Sequence, residues 1–262
     1  MSGQAPCVVP IYPDLAGKVA VVTGGSRGIG AACCRLLAAN RVRVAVNARS
    51  QGPIDTLVDE LVGDGAKAIG VAGDCTSAAD LRAVRMCVES NLGPVDVVLA
   101  YAGGFESFTP ITEITLAEWN HVLEANLTST FLTVKEFLPT MIERRSGSIV
   151  TMASNGGRLL DKQLTASYAA SKAGVVQFTR HIALELGRYG IRVNSLAPAT
   201  VMSERLERIM DDESLATTAA MSPLGRIGTP EDCALATLFL VSESAAWLTG
   251  VTLDVSGGRV ML

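Results

Sequence analysis

Residues 19–31 read Val19-Ala20-Val21-Val22-Thr23-Gly24-Gly25-Ser26-Arg27-Gly28-Ile29-Gly30-Ala31. An apolar, β-branched run stops at a turn of glycines, and small residues suited to a close-packed helix follow. A strand that leaves such a turn as a helix brings main-chain N–H groups and the positive end of a helix dipole to one point. Glycine lets that backbone approach an anion closely. With strand before and helix after, Gly24, Gly28 and Gly30 predict a turn that cradles the phosphates of a dinucleotide.

The same alternation continues outward from this turn. Upstream, residues 1–16 hold Pro6, Pro10 and Pro13 and read as an irregular arm. The first strand covers 18–23 and the first helix 28–40. Strand-like runs at 42–47, 67–73, 95–100, 148–152, 191–196 and 251–255 then alternate with helical patterns at 53–63, 77–91, 115–143, 166–188 and 230–241. This pattern predicts an α/β fold: a Rossmann-type, doubly wound parallel sheet of about seven strands with helices on both faces, one domain over 17–262. Residues 200–222, with Met202, Met210 and Met221, read as a lid that shapes the substrate pocket. Ligands belong beyond the carboxyl ends of the strands, where the glycine turn lies.

Composition excludes several classes. The chain has 262 residues, 48% of them apolar, which suits a sheet buried on both faces. A net charge of −4 and the lack of any basic run argue against nucleic acid or an anionic membrane surface as partner. No apolar run approaches the roughly 20 residues of a membrane span, and no leader pattern opens the chain, so a soluble, cytoplasmic protein is expected. Cys7, Cys33, Cys34, Cys75, Cys87 and Cys233 lack metal or redox spacing and read as small apolar residues in a reducing compartment. His121 and His181 fall in separate helical patterns, and no metal site is expected.

Tyr168 and Lys172 stand four apart on a helical pattern and share its face. A nearby ammonium favours a phenolate and lowers a tyrosine pKa from about 10, so the pair can pass a proton to or from an alcohol or carbonyl oxygen. Ser154 follows the 148–152 strand at the same edge, as a donor to a substrate oxygen or as a loop cap. Asn126 interrupts an otherwise good helix, where it holds a water or perturbs the helix.

Together, the glycine turn, Asn126, Ser154 and Tyr168-x-x-x-Lys172 resemble the short-chain dehydrogenase/reductase family. Thr23–Gly24-x-x-x-Gly28-x-Gly30 is similar to that family's cofactor turn. Residues 224–232 and Thr249–Gly250 are further similar stretches. The resemblance covers the chain after about residue 15. It implies that Tyr168 is the general acid and that Lys172 lowers its pKa and holds the nicotinamide ribose. It further implies that Ser154 stabilises the reacting oxygen and Asn126 holds a water in a proton relay. It places the cofactor against Gly24, Ser26, Arg27, Gly28, Ile29, Gly30, Asp74, Cys75, Ala102, Gly103, Tyr168, Lys172, Pro198, Val201 and Ser203, with Asp74 at the adenine. It borders the substrate with Asn155, Gly156, Arg158, Leu164, Ala199 and Met202. Arg158 hints at a polar or acidic substrate.

At the end of the second strand, Ala48-Arg49-Ser50 carries no carboxylate and one guanidinium, and Arg27 offers another. An acidic residue there would repel a 2′-phosphate, whereas arginine grips one, so NADP(H) is the expected cofactor. Two positions depart from the family pattern. Tyr101 stands where an asparagine usually ties the central strands, and its hydroxyl needs a partner. Ala199 replaces the glycine after Pro198, where a Cβ crowds the pocket or restricts the backbone.

The resemblance is to 3-oxoacyl-carrier-protein reductases and secondary-metabolite ketoreductases, which implies a ketone reductase. Oxidation of a sugar, polyol or steroid alcohol is the neighbouring reading. A catalytically lapsed NADP-binding regulator is the reading from another class, motivated by Tyr101 and Ala199. The resemblance also implies a homodimer or homotetramer paired through the helices at 115–143 and 166–188.

Overall fold

The computed structural model describes residues 9–105, 107–160 and 164–261. In chain order these form β1 (Val19–Thr23), α1 (Gly28–Ala39), β2 (Arg43–Ala48), α2 (Gln51–Gly63), β3 (Ala68–Ala72), α3 (Ala78–Leu92) and β4 (Val97–Ala100). There follow α4 (Leu116–Leu123), α5 (Ser129–Arg144), β5 (Gly147–Met152), α6 (Ala166–Leu186), β6 (Ile191–Pro198), α7 (Glu204–Ile209), α8 (Asp212–Ala220), α9 (Pro230–Val241) and β7 (Thr252–Val255). The seven strands make one parallel sheet in the order β3-β2-β1-β4-β5-β6-β7. This is the doubly wound single domain expected from the alternation.

The period of two in β1 explains why both faces are covered. Ala20 and Val22 join the core beneath α1, α2 and α9, and Val19 and Val21 join the core beneath α3, α5 and α6. All five β1 residues are buried, as a central parallel strand requires. Chain direction across the sheet reverses between β1 and β4, the first strands of the two windings. That reversal opens a crevice at the carboxyl ends, directly over the glycine turn.

Three elements differ from the sequence expectation. The helix expected over 115–143 is two helices joined by a π-helical turn, Glu124–Thr128, with Asn126 in it. Such turns arise where a side chain takes an alternative partner in the helix ladder. The part of the arm that is described is docked rather than loose. Pro13–Leu15 forms a 3-10 turn, Leu15 is fully buried, and the Tyr12 N–H donates to Asn40 Oδ1 at 2.7 Å. Burying Leu15 stabilises this edge by about 2 kcal/mol. Residues 1–8 of the expected arm, Cys7 among them, lie outside the described residues. The 200–222 segment is helical, as α7 and α8, and its root is pinned where Gly228 donates to Thr200 O and accepts from Met202 N–H.

Candidate active site

The glycine turn fits a diphosphate. Gly24 sits at φ +64, and a Cβ there would lie 2.9 Å from the Tyr101 carbonyl oxygen; a Cβ on Gly30 would lie 2.2 Å from the Gly24 oxygen. The turn is packed on its inner side and exposed at Arg27 and Gly28. Helix α1 starts there without a side-chain cap, since the side chain of Arg27, extended at its N-cap, accepts nothing. Helices α3, α4, α6, α7, α8 and α9 each begin with a Ser, Thr or Asp that accepts a first-turn N–H. Only α1 and α2 among the helices that start from a loop lack one, and both start at the crevice. Their open N–H groups suit an anionic ligand.

Around this turn the strand ends are tied by side chains that sequence reading passed over. Thr23 Oγ1 accepts the N–H groups of Tyr101 (3.0 Å) and Ala102 (3.2 Å) and so clamps β4 to β1. Asn47 is buried; its Nδ2 donates to Val71 O and Gly73 O, and its Oδ1 accepts the Cys75 thiol. Asn47 thereby fixes the β3 end beside Ala48-Arg49-Ser50. Asp74 accepts from both the N–H and the hydroxyl of Thr76, each at 2.8 Å, and these bonds hold its carboxyl below its usual range. The Cys75 side chain is buried, and burial pushes its thiol up to about 11.

Arg49 and Ser50 are exposed, and Ser50 does not cap α2. Among the described residues neither the Arg27 nor the Arg49 guanidinium has a hydrogen-bond or ion-pair partner; Arg49 acts as a minor charge at Asp74 and Cys75.

Both departures find partners within the protein. Tyr101 points away from the crevice into the core below α1 and α9, where its hydroxyl lies 2.6 Å from Thr237 Oγ1. Burial pushes its phenol well above the ordinary value. Ala199 has no positive φ, and its N–H donates to Val255 O at 3.1 Å, prolonging the β6–β7 pairing.

The chemistry-bearing side chains meet where β5 ends. Thr165 caps α6 by accepting the Tyr168 N–H. The 3-10 turn Asn155–Gly157 packs on α6 so closely that a Cβ on Gly157 would fall 2.5 Å from the Lys172 carbonyl carbon. Ser154 caps that turn through Gly156 N–H at 3.2 Å. Lys172 is 2% exposed; its Nζ donates to Met152 O at 2.9 Å and stands 5.6 Å from the Tyr168 ring centroid. No carboxylate pairs with it among the described residues. Burial therefore pulls Lys172 down to about 8. For Tyr168, burial raises the phenol and a hydrogen bond with Ser154 opposes the rise. In this geometry desolvation outweighs the Ser154 hydrogen bond at the phenol.

Asn126 Oδ1 accepts Gly104 N–H at 2.9 Å, and its Nδ2 donates to Gly104 O and Val122 O, both at 3.0 Å, so the side chain positions the loop after β4. Hydroxyls of Ser129 and Thr130 occupy the carbonyls of Ala125 and Asn126.

Arg158 is engaged within the protein. Its guanidinium lies 3.1 Å from Asp254 Oδ2 and donates to Thr252 O at 2.9 Å, so it fastens the Ser154 turn to β7. Ser203 caps α7 through Leu206 N–H. Leu164 packs over Gly156. Phe105, unmarked in the sequence, tilts against Tyr168 with ring centroids 5.2 Å apart. Among the described residues no group of three His, Cys, Asp or Glu could hold a metal, and no helix is long and apolar enough to cross a membrane.

Comparison with known proteins agrees with this geometry. The family model described as short chain dehydrogenase matches residues 18–214. The 3-oxoacyl-[acyl-carrier-protein] reductase FabG of Vibrio cholerae is 37% identical over 249 residues, 95% of this chain and all of that one. The 3beta-hydroxysteroid dehydrogenase 1 of Eggerthella lenta is 34% identical, covering 96% and 97%. The crystal structure of a Brucella melitensis 3-oxoacyl-[acyl-carrier protein] reductase with bound NAD superposes with a TM-score of 0.90 at 29% identity, covering 99% of this chain and 98% of that one.

Proposed function

The chain belongs to the short-chain dehydrogenase family, an oxidoreductase family that uses a nicotinamide cofactor, and on that premise we propose that it is a cytoplasmic NADPH-dependent carbonyl reductase. The observation that carries this reading is the buried Lys172 set against the half-buried Tyr168 ring, with Ser154 beside them, at the carboxyl end of β5. A neutral phenol held in place is a proton donor at neutral pH.

Bound across the crevice, the nicotinamide supplies the hydride that adds to the carbonyl carbon of the ketone. Tyr168 gives its proton to the carbonyl oxygen, and the Ser154 hydroxyl donates to the same oxygen. Lys172, poised near pH 8, stabilises the phenolate that results and returns a proton to it. Asn126 and Gly103–Gly104 set the loop after β4. Asp74 receives the adenine, Pro198, Val201 and Ser203 border the nicotinamide, and Asn155, Gly156, Leu164, Ala199 and Met202 border the substrate beneath the 200–222 lid.

Arg49, Ser50 and Arg27 hold the 2′-phosphate, since no carboxylate occupies the end of β2 and these groups have no protein partner to give up. The wild type should favour NADPH over NADH in kcat/KM. Arg49→Ala should raise the NADPH KM about 10- to 100-fold, the loss of a charge-assisted contact, and leave NADH within about threefold. A wild type that prefers NADH contradicts the cofactor reading.

The steroid dehydrogenase relative supports a second reading, oxidation of a secondary alcohol by the same residues in reverse. A lapsed regulator has less support, because Tyr101 and Ala199 are accommodated without disturbing the crevice. Self-association into a dimer or tetramer uses α5 and α6, where Phe131 and Leu184 are exposed.

A further inference from the structure

Granting the proposed reaction, the walls around Tyr168 and Ser154 define what can approach them. Phe105 lies against the Tyr168 ring on one side. On the other, Leu164 Cδ1 covers Gly156 so tightly that a Cβ there would lie 2.1 Å from it and 3.7 Å from Ser154 Oγ. An aromatic ring thus borders Tyr168, and a leucine covers the glycine beside Ser154.

The connections that follow β4, β5, β6 and β7 surround this opening. Half of the large apolar side chains exposed among the described residues stand on these four connections, Phe108, Ile111, Leu160 and Leu224 among them. The described guanidinium groups there are turned to protein acceptors: Arg158 to Asp254, Arg226 to Asp232, Arg208 to Glu204 O and Arg259 to Thr200. The lid sequence itself carries Glu204, Glu207, Asp211, Asp212 and Glu213 against two arginines. An anionic tether would meet repulsion from the lid carboxylates, and the described guanidinium groups on these four connections already have protein acceptors.

We infer that the substrate is a compact, uncharged ketone with aryl or alicyclic surface, taken free in solution and not as a thioester on a phosphate-bearing carrier arm. Phe105 is then a specificity-determining residue. Its ring packs the apolar body of the ketone while the carbonyl reaches Tyr168.

The test uses the NADPH-loaded enzyme with α-tetralone and acetoacetyl-coenzyme A, and calorimetry of α-tetralol on the NADP+-loaded enzyme. α-Tetralone should exceed the coenzyme A thioester at least tenfold in kcat/KM. Phe105→Ala should raise the α-tetralone KM and weaken α-tetralol binding tenfold or more, with kcat moving less, and Phe105→Leu should recover most of the binding. Equal or better turnover of the thioester overturns the inference, as does unchanged α-tetralol affinity in Phe105→Ala. If no ketone is reduced by protein that binds NADPH, the proposed reaction falls instead, and the calorimetry still reads the pocket.

Discussion

The two edges of the sheet hold the same strands but treat their polar groups in opposite ways. Two clefts open along the amino-terminal edge. One, of about 470 Å3, is lined by Lys18, Asp96, Ser148, Arg192 and Trp247 among others, and the second, of about 910 Å3, by Arg35, Arg43 and Glu60 among others. Several of their charges are spent inside the protein. Lys18 lies between Asp14 and Glu243, Asp96 pairs with Arg144 at 2.7 Å, and Arg35 pairs with Glu60 at 2.6 Å. Arg192 donates to the carbonyls of Leu240, Val241 and Ser242 at the end of α9. At the carboxyl edge the polar groups are left with capacity. Helices α1 and α2 start uncapped, Arg27 and Arg49 have no protein partner among the described residues, and Lys172 is buried without a carboxylate. Unmet hydrogen-bonding and charge capacity sets the edge proposed as functional apart better than empty volume does.

The sharpest way to break this contrast is Tyr168→Phe. Removing one hydroxyl should lower kcat/KM about 10²- to 10⁴-fold while NADPH affinity, measured by fluorescence titration, stays within a few-fold. Retained turnover would move the proton donor elsewhere.

Lys172 gives a smaller, thermodynamic effect. Burial lowers its folded pKa to about 8 from 10.5. The unfolded chain holds the extra proton between those values, so this group makes stability rise with pH across the window and costs most below about pH 8. Against Lys172→Met, the wild type should gain up to about 3 kcal/mol between pH 8 and 10.5 in urea unfolding. A pH-independent difference would mean that the ammonium is solvated or paired.

The smallest effect belongs to the opposite edge. Trp247 is almost fully exposed beside the 470 Å3 cleft. Trp247→Ala should change kcat/KM by no more than about twofold, within the usual tolerance of a surface position. A tenfold loss would show that this cleft takes part in the reaction.

What sequence reading captured is local. A glycine turn between a strand and a helix, the alternation of elements, and a Tyr and Lys four apart all lie within a few residues of each other. What it missed depends on partners far along the chain. The Tyr101 hydroxyl bonds Thr237, 136 positions on; Arg158 is captured by β7, 94 positions on. The π turn at Asn126 exists because its amide finds Gly104, which no helical periodicity encodes. The direction of the Tyr168 shift needed the depth of burial, which spacing alone does not supply. Phe105 looks like any loop aromatic until the fold lays it against Tyr168.

Hydrogen–deuterium exchange with and without NADPH tests the central claim most directly, because it reports both edges in one experiment. Slowed exchange is expected in peptides covering 24–30, 48–50, 74–75 and 102–104, with no change over 146–148, 190–192 and 243–249. Protection of the amino-terminal clefts, with residues 24–30 unaffected, would contradict the assignment of the site.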